Sequence, residues 1–337
     1  MIERYHEQEE VSAPEEPKKT ADTSFENRLR PKTLEDFIGQ PQLKENLSIL
    51  LEAAKKRAEP IDHLLFHGNP GLGKTTLAHV IAAEIGARIH TTSGPALEKS
   101  GDLAAILSNL QDGDVLFIDE IHRLQKTIEE MLYPAMEDFS LDLVMGQGPT
   151  ARMLRLDLKR FTLIGATTRL SLIAPPLRDR FGAVFTLPFY SEAELSEIIK
   201  RNAMQLECVI DSSAQELIAR RARQTPRVAN RLLRRVRDYA VVRGDGEITE
   251  AMAQAALELL EIDDKGLTAL DRHILRTMIE KFNGGPVGLT TLSAATQEEL
   301  ATLEEVHEPF LLQQGLLQRT PRGRIATPLA YAHLGYA

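Results

Sequence analysis

Eight residues constrain this chain more than any others: Gly68-Asn69-Pro70-Gly71-Leu72-Gly73-Lys74-Thr75. They fit G-x-x-x-x-G-K-[ST], a loop that cradles phosphate with inward-pointing backbone N–H groups. Glycines permit the backbone turns, lysine puts a point charge on the outer phosphates, and the threonine hydroxyl reaches Mg²⁺. The loop has to lie between a buried strand and a helix whose amino end adds positive dipole. Both are predicted. His63 to Phe66 is an apolar strand, and Thr76 to Ile85 carries Leu77, Val80, Ile81, Ala82 and Ile85 at helical spacing.

A second stretch completes the chemistry. Val115-Leu116-Phe117-Ile118 reads as a buried parallel strand that delivers Asp119 and Glu120 at its carboxyl end. Open α/β sheets bind ligands at that end. Asp119 is placed to hold Mg²⁺, and Glu120 to orient or deprotonate an attacking water, which turns nucleotide binding into hydrolysis. Thr167 and Thr168 close the next predicted strand, Phe161 to Thr167. Either their hydroxyls serve the terminal phosphate or they complete the strand. Arg180 follows in a loop, where it is either a transition-state arginine lent by a neighbouring subunit or a surface ion pair.

Strands alternate with helices over about residues 25–190, which predicts a parallel α/β sheet with flanking helices. Within it, 141–144 and 153–158 alternate around Gly146-Gln147-Gly148-Pro149, the signature of a β-hairpin. Helices then dominate 191–262. Ser191 with Glu194 makes a capping box, and Thr225-Pro226 opens a helix over 226–243. Asp263-Asp264-Lys265-Gly266 is read as a linker. Residues 263–337 hold helices near 268–282, 289–295 and 299–313 and a terminal hairpin, the pattern of a winged helix-turn-helix. The acidic segment 1–24 is expected to be disordered.

Net charge is −9, but residues 1–26 alone contribute −5. Residues 311–337 contain Arg319, Arg322 and Arg324 and no acid. An arginine-bearing hairpin tip suits contact with a phosphate backbone, although a solvated loop has the same composition. Nine arginines lie within 220–243. Val228, Leu232, Leu233, Val236 and Tyr239 need burial on the other face, so this segment is read as a lid helix rather than a nucleic-acid helix. One cysteine, Cys208, excludes an internal disulfide, and no histidine or cysteine spacing suits zinc. The absence of a long apolar run or basic-then-apolar leader predicts a cytoplasmic protein without a membrane partner.

The strings Asp119-Glu120-Ile121-His122-Arg123-Leu124, Gly165-Ala166-Thr167-Thr168-Arg169, Pro176-Leu177-Arg178-Asp179-Arg180-Phe181-Gly182, Thr225-Pro226-Arg227 and Gln318-Arg319-Thr320-Pro321-Arg322-Gly323-Arg324 fall in order along the chain. Together with the phosphate loop they resemble the RuvB family, bacterial Holliday-junction branch-migration motors of the AAA+ class. The resemblance spans roughly residues 25–335. It implies an α/β P-loop AAA+ domain over 25–190, an all-α lid over 191–262 and a C-terminal winged-helix domain over 263–337.

The resemblance further implies a homohexameric ring around duplex DNA, with ATP and Mg²⁺ at subunit interfaces. Its implied nucleotide contacts are Leu29, Arg30, Gly71, Gly73, Lys74, Thr75, Thr76, Glu137, Asp138, Phe139, Arg180, Tyr190 and Arg227. Thr75 and Asp119 would hold the metal. Lys74, Asp119, Glu120, Thr168 as first sensor, Arg180 as a finger in trans and Arg227 as second sensor would carry catalysis. Arg319, Arg322 and Arg324 would meet DNA, and the 141–158 hairpin would dock the junction-binding partner RuvA, with RuvC in the resolving complex. The chain departs from the family pattern at Asn69, at Gln224 where glycine is common, and at Leu170-Ser171-Leu172-Ile173-Ala174-Pro175. The alternatives are a clamp-loader subunit or replication initiator, and a non-catalytic, nucleotide-switched DNA-binding regulator.

Overall fold

The structure, a computed structural model, describes residues 28–145 and 152–336. The acidic segment and the Gly146–Pro149 hairpin tip lie outside the described residues. Leu29 and Arg30 belong to a unit separate from Pro31–Ala337.

Five short strands make the central sheet: β1 (Leu64–His67), β2 (Ile89–Ser93), β3 (Val115–Asp119), β6 (Thr162–Thr167) and β7 (Ala183–Thr186). Their order is β2-β3-β6-β1-β7, and every pairing is parallel. A parallel sheet must be covered on both faces, so its inner strands are apolar throughout rather than alternating. Leu64, Leu65, Phe66, Leu116, Phe117, Leu163 and Ile164 are all fully buried. Helices α1 (Pro41–Arg57), α2 (Lys74–Glu84), α3 (Ser100–Asn109) and α4 (Lys126–Glu137) accompany the sheet. Between α4 and β6 the strands β4 (Ser140–Met145) and β5 (Arg152–Asp157) form the expected antiparallel hairpin, with Ser140 opposite Asp157. The stretch around Pro175, expected as loop, contains one helical turn, α5 (Pro175–Arg178). Consecutive prolines suit a first turn, where no N–H is required.

Four helices follow: α6 (Glu192–Gln205), α7 (Ser212–Arg221), α8 (Pro226–Arg243) and α9 (Glu250–Leu259). Ser191 and Glu194 form the predicted capping box. Thr225 occupies the N-cap position of α8, but its hydroxyl turns back to the Arg223 carbonyl at 2.8 Å and does not cap. The reason lies in the two preceding residues: Arg223 and Gln224 both adopt the left-handed conformation, φ 53° and 52°. That conformation costs a non-glycine residue roughly 1–2 kcal/mol, which explains why glycine suits the Gln224 position. The apolar face of α8 is buried through Ala229, Leu232, Leu233, Val236 and Ala240, so its arginines line the other face.

The Asp263–Gly266 segment is a fastened turn rather than a loose linker. The Asp263 carboxylate accepts the backbone N–H of Leu267 at 2.8 Å and pairs with His333 at 2.9 Å. Beyond it lie α10 (Ala269–Phe282) and α11 (Leu289–Thr296). The next run, expected as one helix, has three parts: a turn at Leu300–Thr302, a π-turn over Leu303–His307 and α12 (Glu308–Gln313). Pro309 lacks the N–H that a continuous helix would donate to the preceding turn, and its ring crowds that turn. Widening to i→i+5 bonding removes the clash. The hairpin β8 (Leu317–Thr320) and β9 (Gly323–Ala326) follows, and Val287 extends it through two backbone bonds with Arg324. A last helix, α13 (Pro328–Leu334), was not anticipated. Its Thr327-Pro328 start repeats the cap-and-proline signal read at Thr225-Pro226, and here the threonine hydroxyl does accept from Ala330 N.

Candidate functional site

The phosphate loop leaves the carboxyl end of β1, which lies between β6 and β7. Gly71 and Gly73 have φ of 81° and 100°, conformations that favour glycine. Gly71 has a second constraint. A Cβ there would lie 2.8 Å from Thr225 Cγ2 and 2.9 Å from Arg227 Cβ, so the start of α8 rests directly on the loop. Lys74 is 7% exposed, and its ammonium donates to the carbonyls of Gly68 and Asn69 at 2.7 and 2.9 Å. Burial lowers its pKa to about 8, Asp119 works against that, and Arg227 adds to it. Asn69 contributes its backbone carbonyl, so the side-chain departure at this position bears little on the lysine.

Thr75 Oγ1 donates to Asp119 Oδ2 at 3.2 Å, and Asp119 Oδ1 accepts the backbone N–H of Glu120 at 2.8 Å. A hydroxyl and a carboxylate converging beside a phosphate loop are hard oxygen donors. They fit Mg²⁺, which takes few protein ligands and keeps its waters. Glu120 adopts a left-handed conformation, φ 48° and ψ 41°. Its carboxylate is paired with Arg123 at 3.0 Å in a solvent-exposed contact.

β6 lies beside β1, with His67 in register with Thr167. Thr167 is buried, and its hydroxyl is committed to His122 Nδ1 and the Arg169 N–H, both at 3.0 Å. Of the two threonines it is therefore Thr168, half-buried at the strand end, that remains available to a ligand. Thr76, the third residue of α2, is half-buried. Tyr190 is 3% exposed, and its hydroxyl donates to the Leu72 carbonyl at 3.3 Å. Burial raises its pKa strongly. Its backbone N–H donates to Gln224 at 3.1 Å, and Arg227 N donates to Gly71 O at 3.4 Å. Loop, domain junction and lid are thus joined at adjacent points.

Arg180 is elsewhere. It precedes β7, whose amino end pairs with that of β1, and Gly182 N donates to His63 O at 2.9 Å. The phosphate loop leaves the opposite end of β1. The Arg180 guanidinium meets Glu137 at 2.8 Å and lies 4.7 Å from the Tyr133 ring centroid. Asp138, next to Glu137, pairs with Arg155 at 3.6 Å, and Phe139 packs edge-on against Phe161. Glu137, Asp138, Phe139 and Arg180 therefore share one patch that excludes the chain's own phosphate loop.

In the C-terminal hairpin Arg319 stands directly opposite Arg324. Both bind Glu308, with closest contacts of 2.8 and 2.7 Å, and Glu308 is only 3% exposed. Burial works to raise the Glu308 carboxyl. Hydrogen bonds from Arg324 and Arg319 more than reverse this and hold it below the usual carboxylate range. Arg319 and Arg322 are exposed, whereas Arg324 is mostly covered. The helical run Leu300–Gln313 has no lysine or arginine and carries Glu304, Glu305 and Glu308. The exposed positive charge of this module therefore lies on the hairpin and not on this acidic run.

Sequence reasoning missed Arg123, Arg169, Arg223 and Glu308. Arg123 lies three residues after Glu120, within reach on one helical turn, which is a signal. Glu308 sits just upstream of the acid-free tail, and nothing local shows that it folds back between two arginines.

Family models match the chain in three consecutive pieces. The Holliday junction DNA helicase RuvB P-loop domain matches residues 29–187, the RuvB AAA lid domain 190–263, and the RuvB C-terminal winged helix domain 264–335. Among solved structures, the Thermotoga maritima RuvB Holliday junction branch migration motor is 54% identical, with a TM-score of 0.84 over 92% of this chain and 99% of that one. Two point mutants of the same protein align as well, at 54% and 53% identity with TM-scores of 0.85 and 0.84. They cover 92% and 91% of this chain, and 99% and 98% of theirs. With a phosphate-loop domain, a lid seated on the loop and an arginine-bearing winged helix in one order, this chain belongs to the RuvB family.

Proposed function

We propose that this chain hydrolyses ATP to pull duplex DNA and drive branch migration of Holliday junctions in recombination and repair, as a homohexamer working with RuvA. The observation that carries the reading is the seat of α8 on the phosphate loop, where Gly71 has no room for a side chain beneath Thr225 and Arg227. A change at the phosphates is felt by the lid without any intervening element.

Lys74 and the loop N–H groups bind the phosphates, and Thr75 and Asp119 hold Mg²⁺. The metal supplies neutralisation of charge on the transferring phosphoryl group. Glu120 exchanges Arg123 for the attacking water, orients it and takes its proton. Thr168 fixes that water against the terminal phosphate. Arg180 of a neighbouring subunit stabilises the transition state, since within its own chain it lies at the end of the strands opposite the loop. Arg227 reports phosphate occupancy to the lid. Leu29 and Arg30 lie near the adenine, Tyr190 stands at the domain junction, and the patch of Glu137, Asp138 and Phe139 completes the neighbour's half-site. Domain limits of 25–190, 191–262 and 263–337 suit this division of labour.

Arg319 and Arg322 contact the DNA backbone, with Arg324 bracing the hairpin. The β4–β5 hairpin docks RuvA, and RuvC joins in the resolving complex. The protein works in the bacterial cytoplasm, and no helix among the described residues is long and apolar enough to cross a membrane. The test is ATP-dependent dissociation of a synthetic four-way junction with and without RuvA. Acceleration by RuvA is expected. No dissociation under either condition removes the branch-migration reading. ATP turnover without dissociation points to another AAA+ activity, and binding without turnover to a nucleotide-switched regulator.

A further inference from the structure

The π-turn Leu303–His307 touches both loops that read the nucleotide. From the large domain, Arg169 reaches Glu304 at 2.8 Å and Glu305 at 2.9 Å. Arg169 also donates its backbone N–H to Thr167, next to Thr168. From the lid, Arg223 donates to the Val306 carbonyl at 3.2 Å and pairs with Asp271 at 3.2 Å. Arg223 lies two residues before Thr225, at the head of α8, and its guanidinium sits 4.2 Å from the Phe310 ring centroid. Gln224 alongside bonds to Gln313. His307 closes the π-turn onto Asp271 at 2.6 Å.

The two arms differ in burial, and that decides what each can do. Asp271 is fully buried, and its partners are Arg223, His307 and Thr268. Pulling Arg223 away would leave a buried carboxylate short of a cation, which is strongly disfavoured. Lid and winged helix are therefore joined as one piece. Arg169, Glu304 and Glu305 each retain between 33 and 38% of their side-chain exposure. Such pairs dissociate readily because water replaces the partner. This contact can open without cost to the core.

We propose that the π-turn is the coupling element between nucleotide and DNA: Arg223 fixes it to the lid, while Arg169 latches it to the large domain and releases it as the lid turns. Arg169 and Arg223 are positioning residues: Arg169 acts through Thr167 beside Thr168, and Arg223 through the start of α8. A helix relaxed to π geometry by Pro309 is a fitting place for this, as such turns recur at functional sites. The inference rests on the ATP-motor reading above, but its test does not require hydrolysis.

Coupling between two sites is reciprocal at equilibrium, so it is read from binding alone. The probe is a fluorescent ADP, titrated with and without saturating duplex DNA, on the full chain. The wild type should show a several-fold change in ADP affinity on adding DNA. In E304Q/E305Q that ratio should fall to near one, while ADP affinity without DNA and the thermal midpoint stay at wild-type values. Reversing the pair, R169E with E304R/E305R, should restore the ratio, which a merely structural role would not predict. A wild-type ratio of one, or an undiminished ratio in E304Q/E305Q, overturns the proposal. A chain that shows the ratio but never hydrolyses ATP sinks the motor reading and leaves the coupling intact.

Discussion

Arg319 and Arg324 face each other across the C-terminal hairpin and share one buried carboxylate, Glu308. Like charges directly opposite on an antiparallel pair repel. The acid cancels that repulsion and leaves the three groups with a single net positive charge. Removing it is expected to do more damage than removing either arginine. Glu308→Ala should cost about 3 kcal/mol, because two guanidinium groups lose their common partner. Chemical denaturation of the purified chain checks this, and a loss below about 1 kcal/mol would show that the arginines find other partners.

The same carboxylate gives a pH signature. Glu308 and Asp271 are both held below their ordinary values of 4.5 and 3.8. Groups depressed on folding stabilise the fold above their unfolded pKa, and that stability is lost as pH falls through the folded one. The thermal midpoint of wild type should therefore exceed that of Glu308→Gln at pH 7, and the gap should narrow once pH drops below the ordinary value of 4.5. Midpoints measured from neutral to acidic pH decide it; a gap that widens on acidification has the wrong sign.

Arg319→Ala leaves Arg324 on Glu308 and should fold. DNA affinity should drop irrespective of sequence, with the slope of log affinity against log salt shallower by about 1. Arg322→Ala should do the same, since Arg322 is exposed at the turn. Unchanged slopes in both would move the DNA contact off the hairpin.

Gly71→Ala tests the seat of the lid. The added methyl group meets Thr225 and Arg227, and φ of 81° strains any side chain. Placing a non-glycine residue in that conformation costs roughly 1–2 kcal/mol before the clash is counted. ATP affinity measured by calorimetry should fall at least tenfold. Wild-type affinity would mean that α8 shifts freely on the loop.

Arg180→Ala should keep ATP binding and lose turnover by about 10³-fold or more. Mixing it with Lys74→Ala chains should restore part of the rate, because a mixed interface joins an intact Arg180 to an intact Lys74. A mixture as inactive as its components would argue that Arg180 acts within its own subunit.

What could be read in advance followed from locality. The phosphate loop, the Asp119–Glu120 strand end and the Ser191 capping box are each set by residues close in sequence, and all are found where expected. Sheet order was not legible, because parallel pairing joins β1 to β6 across about a hundred residues. The Glu308 clamp was hidden for a related reason: charge counted over residues 311–337 stops short of the acid that matters. The break at Leu303–His307 left its only trace in Pro309. Arg180 could be named as a candidate, but its placement at the opposite end of the strands from the loop needed the fold.

That placement makes a prediction about protein concentration under the proposed mechanism. β1 separates the phosphate loop at its carboxyl end from Arg180 near its amino end. With Arg180 as the proposed finger, one molecule would not bring it onto its own nucleotide. Turnover per chain should rise with protein concentration and vanish on dilution, even while nucleotide stays bound. A lone chain would store ATP without spending it, and assembly itself would be the trigger.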